Sequence, residues 1–277
     1  MKRLIIRPGA IGDFIVSIPA IECLRAPYLE IWAAPGNVPL AARIAQHARS
    51  IPSTGLDLLE ITGPDARLLE SLRGFDSIVS WYGANRPEFR EAVAALRLPF
   101  RFLAALPPIG PSPHAVDFYL AQARDLLDNA PCASDGIPRI PCDAVRGGSA
   151  VIHPFAGSPI KRWPLARFQE LARRLERRMP VEWCAGPEDQ LPGARRFDDL
   201  YELACWLATA RVYIGNDSGP AHLAAAVGTP VLALFGPTDP AVWAPRGPRV
   251  TIAAAPALDD ITVDRVASLL EDAVRVL

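Results

Sequence analysis

The stretch "RVYIGNDSGPAHLAAAVGTPVLALFG", residues 211–236, decides the fold. Its two apolar runs predict strands at 211–215 and 231–236, and the segment between them predicts a helix at 220–227. Pro220 suits the first turn of that helix, where no N–H is needed, and Gly228 suits its end. Strands that alternate with helices indicate a parallel sheet covered on both faces.

The same alternation extends along the chain. The other predicted strands are 3–7, 29–35, 56–61, 76–83, 150–156 and 181–186, and the other predicted helices include 39–49, 87–97, 164–178, 199–208 and a last segment at 258–277. A stretch rich in proline and glycine, 128–149, predicts a linker. We therefore expect two α/β domains, 1–130 and 149–257, that face each other across a cleft. Ligands of such sheets bind beyond the carboxyl ends of the strands.

Composition excludes several classes of protein. The 29 basic and 30 acidic residues nearly cancel, so no global charge attracts nucleic acid. No apolar run reaches the roughly 18 residues of a membrane span, and we expect a cytoplasmic protein. The five cysteines form no C-x-x-C pair, which fits a reducing compartment and argues against a disulfide scaffold or a thiolate zinc site.

The opening stretch contains the first candidate site. The backbone amides at 218–221 and the positive end of the helix dipole would form an anion site, and His222 could donate to a phosphate oxygen. In the plainer alternative, Asp217 or Ser218 only caps the helix and His222 lies on the surface. A serine hydrolase is disfavoured because the spacing differs from G-x-S-x-G and because Asp217, Ser218 and His222 share one turn.

A second candidate is "HPFAGSPIKRWP", residues 153–164, where a predicted strand ends in a loop of small residues. Ser158 and Lys161 could stabilise a diphosphate as it becomes a leaving group. The alternative is an ordinary solvated basic loop. Neither D-x-D nor H-x-x-x-H occurs in the sequence, so we expect no bound divalent metal, and the charge of a phosphate would fall to amides, lysine and histidine.

The third candidate is "RPGAIGDFIVSIPA", residues 7–20, which joins the first strand to the first helix. Gly9 and Gly12 give G-x-x-G, less than the full dinucleotide-binding fingerprint. Asp13 could cap the helix, or it could be a carboxylate that takes a proton from an incoming hydroxyl.

These three motifs, in their order along the chain, resemble those of glycosyltransferase family 9, the heptosyltransferases of lipopolysaccharide core synthesis, and "HAVDFYLAQARDLL" (114–127) resembles the family's helix before the linker. The resemblance implies a GT-B fold with two Rossmann-like domains. It implies that Asp13 is the general base and that the nucleotide-sugar is bound by Gly12, Ser158, Lys161, Glu188, Asp217, Ser218, Gly219 and His222. Asp189 competes with Glu188 for the ribose. The last segment, 258–277, would pack back on the N-terminal domain.

The implied activity is inverting, metal-independent transfer of a heptose-like sugar. The donor would be an ADP-heptose-like nucleotide-sugar, and the acceptor a lipid-linked saccharide of the lipopolysaccharide core. Peripheral contact with the inner membrane would follow from such an acceptor, and neither a cofactor nor nucleic acid is implied. Two alternatives remain open: a sugar-nucleotide 2-epimerase, and a nucleotide-sugar-binding protein without catalytic activity.

Overall fold

The computed structural model describes residues 1–128, 131–132 and 134–275, with side chains to residue 271. The chain forms two compact units, Met1–Gly136 and Ile137–Leu277, so the predicted linker is shared between them. The predicted end of the first domain at residue 130 lies outside the described residues, as do residues 276–277 of the predicted last helix.

The first unit is built on a parallel sheet. Its strands are β1 (Lys2–Arg7), β2 (Tyr28–Ala33), β3 (His47–Ser50), β4 (Ser77–Ser80) and β5 (Phe100–Phe102), in the order β3-β2-β1-β4-β5. Its helices are α1 (Ile11–Cys23), α2 (Val38–Ala41), α3 (Ile51–Thr54), α4 (Leu59–Thr62), α5 (Ala66–Arg73), α6 (Pro87–Ala95) and α7 (Ala115–Leu126). The strand order reverses direction between β1 and β4, and doubly wound sheets bind ligands at this point, beyond the carboxyl ends of the strands.

The central strand β1 is buried from residue 3 onward because both faces of a parallel sheet are covered by helices. Leu4 and Ile6 of β1 pack with Trp32 of β2 and with the helices of one face. On α1, residues 14–21 are buried, and this helix packs against α7. The end of β1 is therefore held by its neighbours on both faces of the sheet.

The second unit is also built on a parallel sheet. Its strands are β6 (Ala150–His153), β7 (Val181–Trp183), β8 (Val212–Asn216), β9 (Val231–Phe235) and β10 (Val250–Ala254), in the order β10-β9-β8-β6-β7. Its helices are α8 (Leu165–Leu175), α9 (Leu200–Ala208), α10 (Gly219–Ala226), α11 (Pro240–Trp243) and α12 (Val263–Arg275). Here the order reverses between β6 and β8, so the same rule points to the loops after these two strands.

The structure differs from the predicted elements in several places. The segment 56–61, predicted as a strand, forms a 3-10 turn and the start of α4 instead. The predicted helix 39–49 contains only part of α2 and then most of β3. The short strands β5 and β10 lie where no strand is predicted. The strand–helix–strand prediction for 211–236 is confirmed by β8, α10 and β9.

The last helix has its apolar side buried within the second unit. Val266 and Leu270 of α12 lie in one core cluster with Phe168 and Leu171 of α8. This cluster joins α12 to the sheet of its own unit. Packing of 258–277 on the N-terminal domain stays a prediction. The apolar side chains of this cluster are buried within the second unit and would not form that contact.

The cysteines differ from expectation. Cys23, the last residue of α1, forms a disulfide with Cys132, although 109 positions separate the two in the sequence. A separation of this size gives no local pattern, so the expectation of a chain without disulfides is wrong for this pair. Among the helices of the described residues, none combines the length and the apolar composition that a membrane span requires.

Candidate active site

The candidate region around Asp13, which we call the Asp13 turn, comprises residues 8–13, from the end of β1 into the first turn of α1. Gly9 adopts a positive φ of 109°, which an L side chain rarely tolerates. A carboxylate oxygen of Asp13 (Oδ2) accepts a hydrogen bond from the Ala10 N–H at 3.0 Å. The buried Asn37 side chain donates to the Gly9 carbonyl at 3.0 Å. The N-cap residue of α1 is Ala10, so the interpretation of Asp13 as the N-cap is wrong. Asp13 is the third residue of the helix, and its partly exposed carboxylate reaches back to the N-cap backbone as in a capping box.

Arg7 lies beneath this turn and is only 1% exposed. Its guanidinium donates to the Asp13 carbonyl at 2.7 Å, to the Tyr119 hydroxyl at 3.0 Å, to the Ser17 hydroxyl at 3.1 Å and to the Ala105 carbonyl at 3.4 Å. It also lies over the Tyr119 ring, with its central carbon (Cζ) 4.6 Å from the ring centroid. Arg7 therefore joins the Asp13 turn to α7 and to the loop after β5. This role is not evident in the sequence, because these partners are up to 112 positions away.

The other candidate region, which we call the Lys161–Asp217 loops, comprises two segments. Residues 153–163 run from the end of β6, and residues 216–222 run from the end of β8 into α10. The Lys161 ammonium lies 2.7 Å from a carboxylate oxygen of Asp217 (Oδ2). Asp217 is buried, and about a third of the Lys161 side chain is exposed. The fold thus brings together two predicted site residues that are 56 positions apart. The carboxylate of Asp217 thus keeps the Lys161 ammonium in one position at the surface of the site.

Asn216 fixes the two loops relative to each other. Its carbonyl oxygen accepts from the Trp163 N–H and its amide donates to the Pro154 carbonyl, both at 2.9 Å. The side chain is fully buried. Asn216 ends β8, and its buried side-chain amide forms hydrogen bonds with the backbone of the loop after β6. These hydrogen bonds set the distance between the two loops. Asn216 lies inside the quoted motif, but no local pattern in the sequence indicates this role.

The start of α10 contains the other predicted anion-binding groups. The Ala221 N–H donates to the Ser218 carbonyl at 3.1 Å, and Pro220 has no N–H, so the amides of Ser218 and Gly219 are those that can donate to an anion. His222 lies one turn into the helix and is buried, so the alternative in which it lies on the surface is wrong, and its role in binding a phosphate stays a prediction. Ser158 belongs to the same 3-10 turn as Lys161, whose N–H donates to the Ser158 carbonyl at 3.1 Å.

Several buried polar atoms of this region have no hydrogen-bond partner within the described part of the chain. They are the Ser218 hydroxyl, the Tyr213 hydroxyl and Nδ1 of His153. Burial raises the pKa of Tyr213. A buried polar atom without a partner costs about 1–3 kcal/mol. A ligand that supplied partners to these atoms would recover that cost.

His153 ends β6 directly below the first of these loops. Burial lowers its pKa to about 4, and Asp189 opposes the shift while Arg162 adds to it. The imidazole is therefore neutral near pH 7. It cannot supply positive charge to a phosphate there, so that role falls to Lys161 and to the start of α10.

The two acidic candidates for the ribose differ in their environment. A carboxylate oxygen of Asp189 (Oδ2) accepts from the Gly186 N–H at 3.0 Å and so closes the turn after β7. Glu188 is exposed beside it. The geometry thus favours Glu188 as the residue that can reach a ligand. No group of three His, Cys, Asp or Glu side chains that could hold a metal ion occurs in the residues that the structure describes.

The family of the chain follows from its similarity to known proteins. Residues 114–270 match the family model of glycosyltransferase family 9 (heptosyltransferase), which is more than half of the chain. The chain belongs to this family. Of curated relatives, lipopolysaccharide heptosyltransferase 3 of Escherichia coli strain K12 is 30% identical over 165 residues, which cover 52% of this chain and 45% of that protein.

Lipopolysaccharide heptosyltransferase 2 of Salmonella typhimurium strain LT2 is 26% identical over 295 residues, which cover 87% of this chain and 84% of that protein. The chain thus spans about half the length of the first relative and most of the second. The solved structure of E. coli ADP-heptose lps heptosyltransferase II superimposes with a TM-score of 0.74 at 22% identity and covers 99% of both chains. This similarity and the two parallel sheets confirm the predicted GT-B fold.

Proposed function

We propose that the protein is an inverting, metal-independent glycosyltransferase that transfers a heptose from an ADP-heptose-like donor to a saccharide of the lipopolysaccharide core. The observation that carries the proposal is the Lys161–Asp217 ion pair at the start of α10, beside a Ser218 hydroxyl that has no partner among the described residues, in a chain of this family. The names of its relatives support heptose as the sugar and ADP as the nucleotide.

In this proposal the diphosphate of the donor binds at the Lys161–Asp217 loops. The Lys161 ammonium, the Ser218 hydroxyl and the amides of Ser218 and Gly219 donate to its oxygens, and His222 and Ser158 lie on the same two turns. The Asp217 carboxylate would repel a phosphate, so it orients Lys161 and accepts from a hydroxyl of the sugar. Glu188 accepts from the ribose hydroxyls, and Gly12 lets the donor approach the start of α1.

The chemical step is a single displacement. The Asp13 carboxylate takes the proton of an acceptor hydroxyl, whose oxygen then attacks the anomeric carbon of the sugar. The bond between that carbon and the diphosphate breaks, and the nucleoside diphosphate leaves from the opposite face, so the anomeric configuration inverts. Lys161, His222 and the amides stabilise the charge that develops on the leaving group, which is the work that a metal ion performs in other transferases.

The surface of the first unit supports an acceptor that is attached to a lipid. The loop after β5 exposes two large apolar side chains, Leu106 at 59% and Ile109 at 106%. The same loop is joined to the Asp13 turn, because the Ala105 carbonyl accepts from Arg7 and from Tyr119. An apolar loop that is fixed to the proposed base suits the lipid of the acceptor and peripheral contact with the cytoplasmic face of the inner membrane.

The proposal is tested by incubating the protein with ADP-heptose, either alone or with a core acceptor that lacks heptose, in the presence of EDTA. We expect release of ADP and a new glycoside of inverted configuration only when the acceptor is present. Conversion of the donor without acceptor would support the 2-epimerase. Binding of the donor with no product under either condition would support the protein without catalytic activity.

A thermal-shift series with ADP, UDP and GDP, all at one common concentration, identifies the base because the added stability rises with the ratio of ligand concentration to Kd, and reaches about 2.7 kcal/mol at 100 times the Kd. We expect the largest shift with ADP.

Sedimentation with anionic vesicles tests membrane contact. We expect Leu106→Ser with Ile109→Ser to abolish co-sedimentation, while soluble acceptor fragments remain substrates.

A further inference from the structure

Two thiols of the second unit lie in contact, apart from the disulfide of the first unit. The sulfur atoms of Cys142 and Cys205 are 3.6 Å apart. Cys142 belongs to the segment that precedes β6, and Cys205 lies in the middle of α9. Both residues are partly exposed. A disulfide needs the two sulfurs about 2.05 Å apart, so they must approach each other by about 1.5 Å to form one.

The backbone around this pair is held in place. The Tyr201 hydroxyl donates to the Pro141 carbonyl at 3.1 Å, and Tyr201 lies one helical turn before Cys205 on the same face of α9. On the other side, the Ile140 N–H donates to the Ala226 carbonyl at the end of α10 at 3.0 Å. Cys142 is thus kept beside Cys205 by hydrogen bonds of its neighbours, independently of the sulfur contact.

We propose that Cys142 and Cys205 form a modification site, at which a small disulfide oxidant such as oxidised glutathione converts the two thiols into an intramolecular disulfide. One thiolate attacks the oxidant, forms a mixed disulfide and releases one glutathione thiol. The second thiolate attacks the protein sulfur of that mixed disulfide and releases the other glutathione. The two protons of the protein thiols end on two glutathione molecules, and the two electrons reduce the oxidant.

The remaining cysteine outside the disulfide provides an internal contrast. Cys184 is buried, and burial raises the pKa of its thiol to about 12, with Asp189 adding to the shift. It is therefore almost wholly a thiol at neutral pH and is inaccessible to an oxidant. Of these three cysteines, the Cys142–Cys205 pair combines proximity with exposure.

The bond would fasten the connection between the two units. Cys132, ten positions before Cys142 in the sequence, is already bonded to Cys23 of the first unit. With Cys142 bonded to Cys205, the connecting segment would be linked covalently to each unit. Oxidation would thus change the covalent structure of this segment without touching the residues assigned to the donor.

Peptide mapping of the full chain tests the proposal. The reduced protein is incubated with oxidised glutathione, then denatured, alkylated and digested with trypsin without reduction. We expect residues 140–146 and 197–211, the tryptic peptides of Cys142 and Cys205, to appear joined, and we expect the joined form to exceed the mixed glutathione disulfides. Cys184 should be recovered alkylated.

Two variants make the result decisive. In Cys142→Ser and in Cys205→Ser, the remaining thiol can form only a mixed disulfide, which dithiothreitol should reverse. Wild-type protein that gives mixed disulfides at both positions, or that leaves both thiols alkylated, would overturn the proposal. So would a joined peptide in which either cysteine is paired with Cys184.

Discussion

A basic residue ends the strand below each candidate region, and the two residues differ in how they are satisfied. Arg7 at the end of β1 is buried as a cation and donates four hydrogen bonds. His153 at the end of β6 is buried as a neutral ring, and its Nδ1 has no partner in the described residues. The Asp13 turn is therefore complete as it stands, whereas the Lys161–Asp217 loops contain polar atoms that the described chain leaves without partners.

This difference matches the roles proposed for the two regions. A general base must be held in one position before the acceptor arrives, and Arg7 and the cap of α1 hold Asp13 in this way. A site for a charged donor instead gains affinity from groups that are unsatisfied until the ligand binds. Variants of the two regions, each measured beside a matched control, separate these roles.

The largest effect is expected for Asp13→Asn. Asparagine keeps an oxygen that can accept from the Ala10 N–H, so the cap of α1 is preserved while the base is lost. We expect turnover to fall roughly a hundred- to ten-thousand-fold, with little change in donor affinity. The control is Asp65→Asn, since Asp65 caps α5 by accepting from the Leu68 N–H at 2.7 Å. Similar turnover in both variants would mean that Asp13 is only a cap.

The next effect concerns pH and stability. The pKa of His153 is about 4 when folded and about 6.5 when unfolded. Between these pH values the unfolded chain binds a proton that the folded chain does not. The contribution of the neutral His153 ring to the free energy of unfolding is therefore fully present above about pH 6.5 and is lost as the pH falls toward 4. The loss is on the order of 3 kcal/mol. We expect urea unfolding of His153→Gln to lack this slope.

His47→Gln is the control for that measurement, because His47 is an exposed residue of the edge strand β3. Its removal should leave the slope intact. If His153→Gln and the wild type lose stability in parallel between pH 6.5 and 4, His153 is not a buried neutral ring.

The sequence predicts the parts of the fold in which local signals agree. At 211–236 the apolar runs, Pro220 and Gly228 all indicate the same boundaries, and β8, α10 and β9 follow them. At 56–61 the short apolar run contains no proline or glycine that marks a boundary, and it forms helical turns instead of a strand. The edge strand β3 reads "HARS" and contains no apolar alternation that could indicate a strand.

In the candidate site too, only the contacts between residues close in the sequence could be predicted. Residues that share one turn, such as Ser218 and His222, could be predicted to lie together from spacing alone. The Lys161–Asp217 ion pair, the placement of two loops by Asn216 and the support of Asp13 by Arg7 join distant segments, and they depend on strand order. No periodicity in the sequence gives strand order, so these contacts required the structure.

A smaller effect is expected for Lys161→Met, which removes the ammonium from the donor site. A hydrogen bond to a charged group contributes about 1.5–3 kcal/mol, so affinity for ADP should fall by about ten- to a hundredfold. The control is Lys2→Met, since Lys2 and Lys161 are the two lysines of the chain. Calorimetric titration with ADP measures both. Equal affinity in the two variants would place the diphosphate elsewhere.

The smallest effect is expected for Gly9→Ala. The positive φ of Gly9 disfavours any side chain, and an added methyl group would lie 2.9 Å from the Asp13 Cβ and 3.0 Å from Oδ2. Gly55→Ala is the matched control, because Gly55 also has a positive φ, of 74°, but a methyl group added there would meet no described atom within 4 Å. Both variants should lose about 1–2 kcal/mol of stability from backbone strain.

Turnover distinguishes the two glycine variants. We expect it to fall in Gly9→Ala alone, because the added methyl group displaces the Asp13 carboxylate, and initial rates at saturating donor measure this. If both variants keep wild-type turnover at equal stability, the position of Asp13 relative to its turn is not critical. The proposal that the Asp13 turn must hold the base in one position for catalysis would then be wrong.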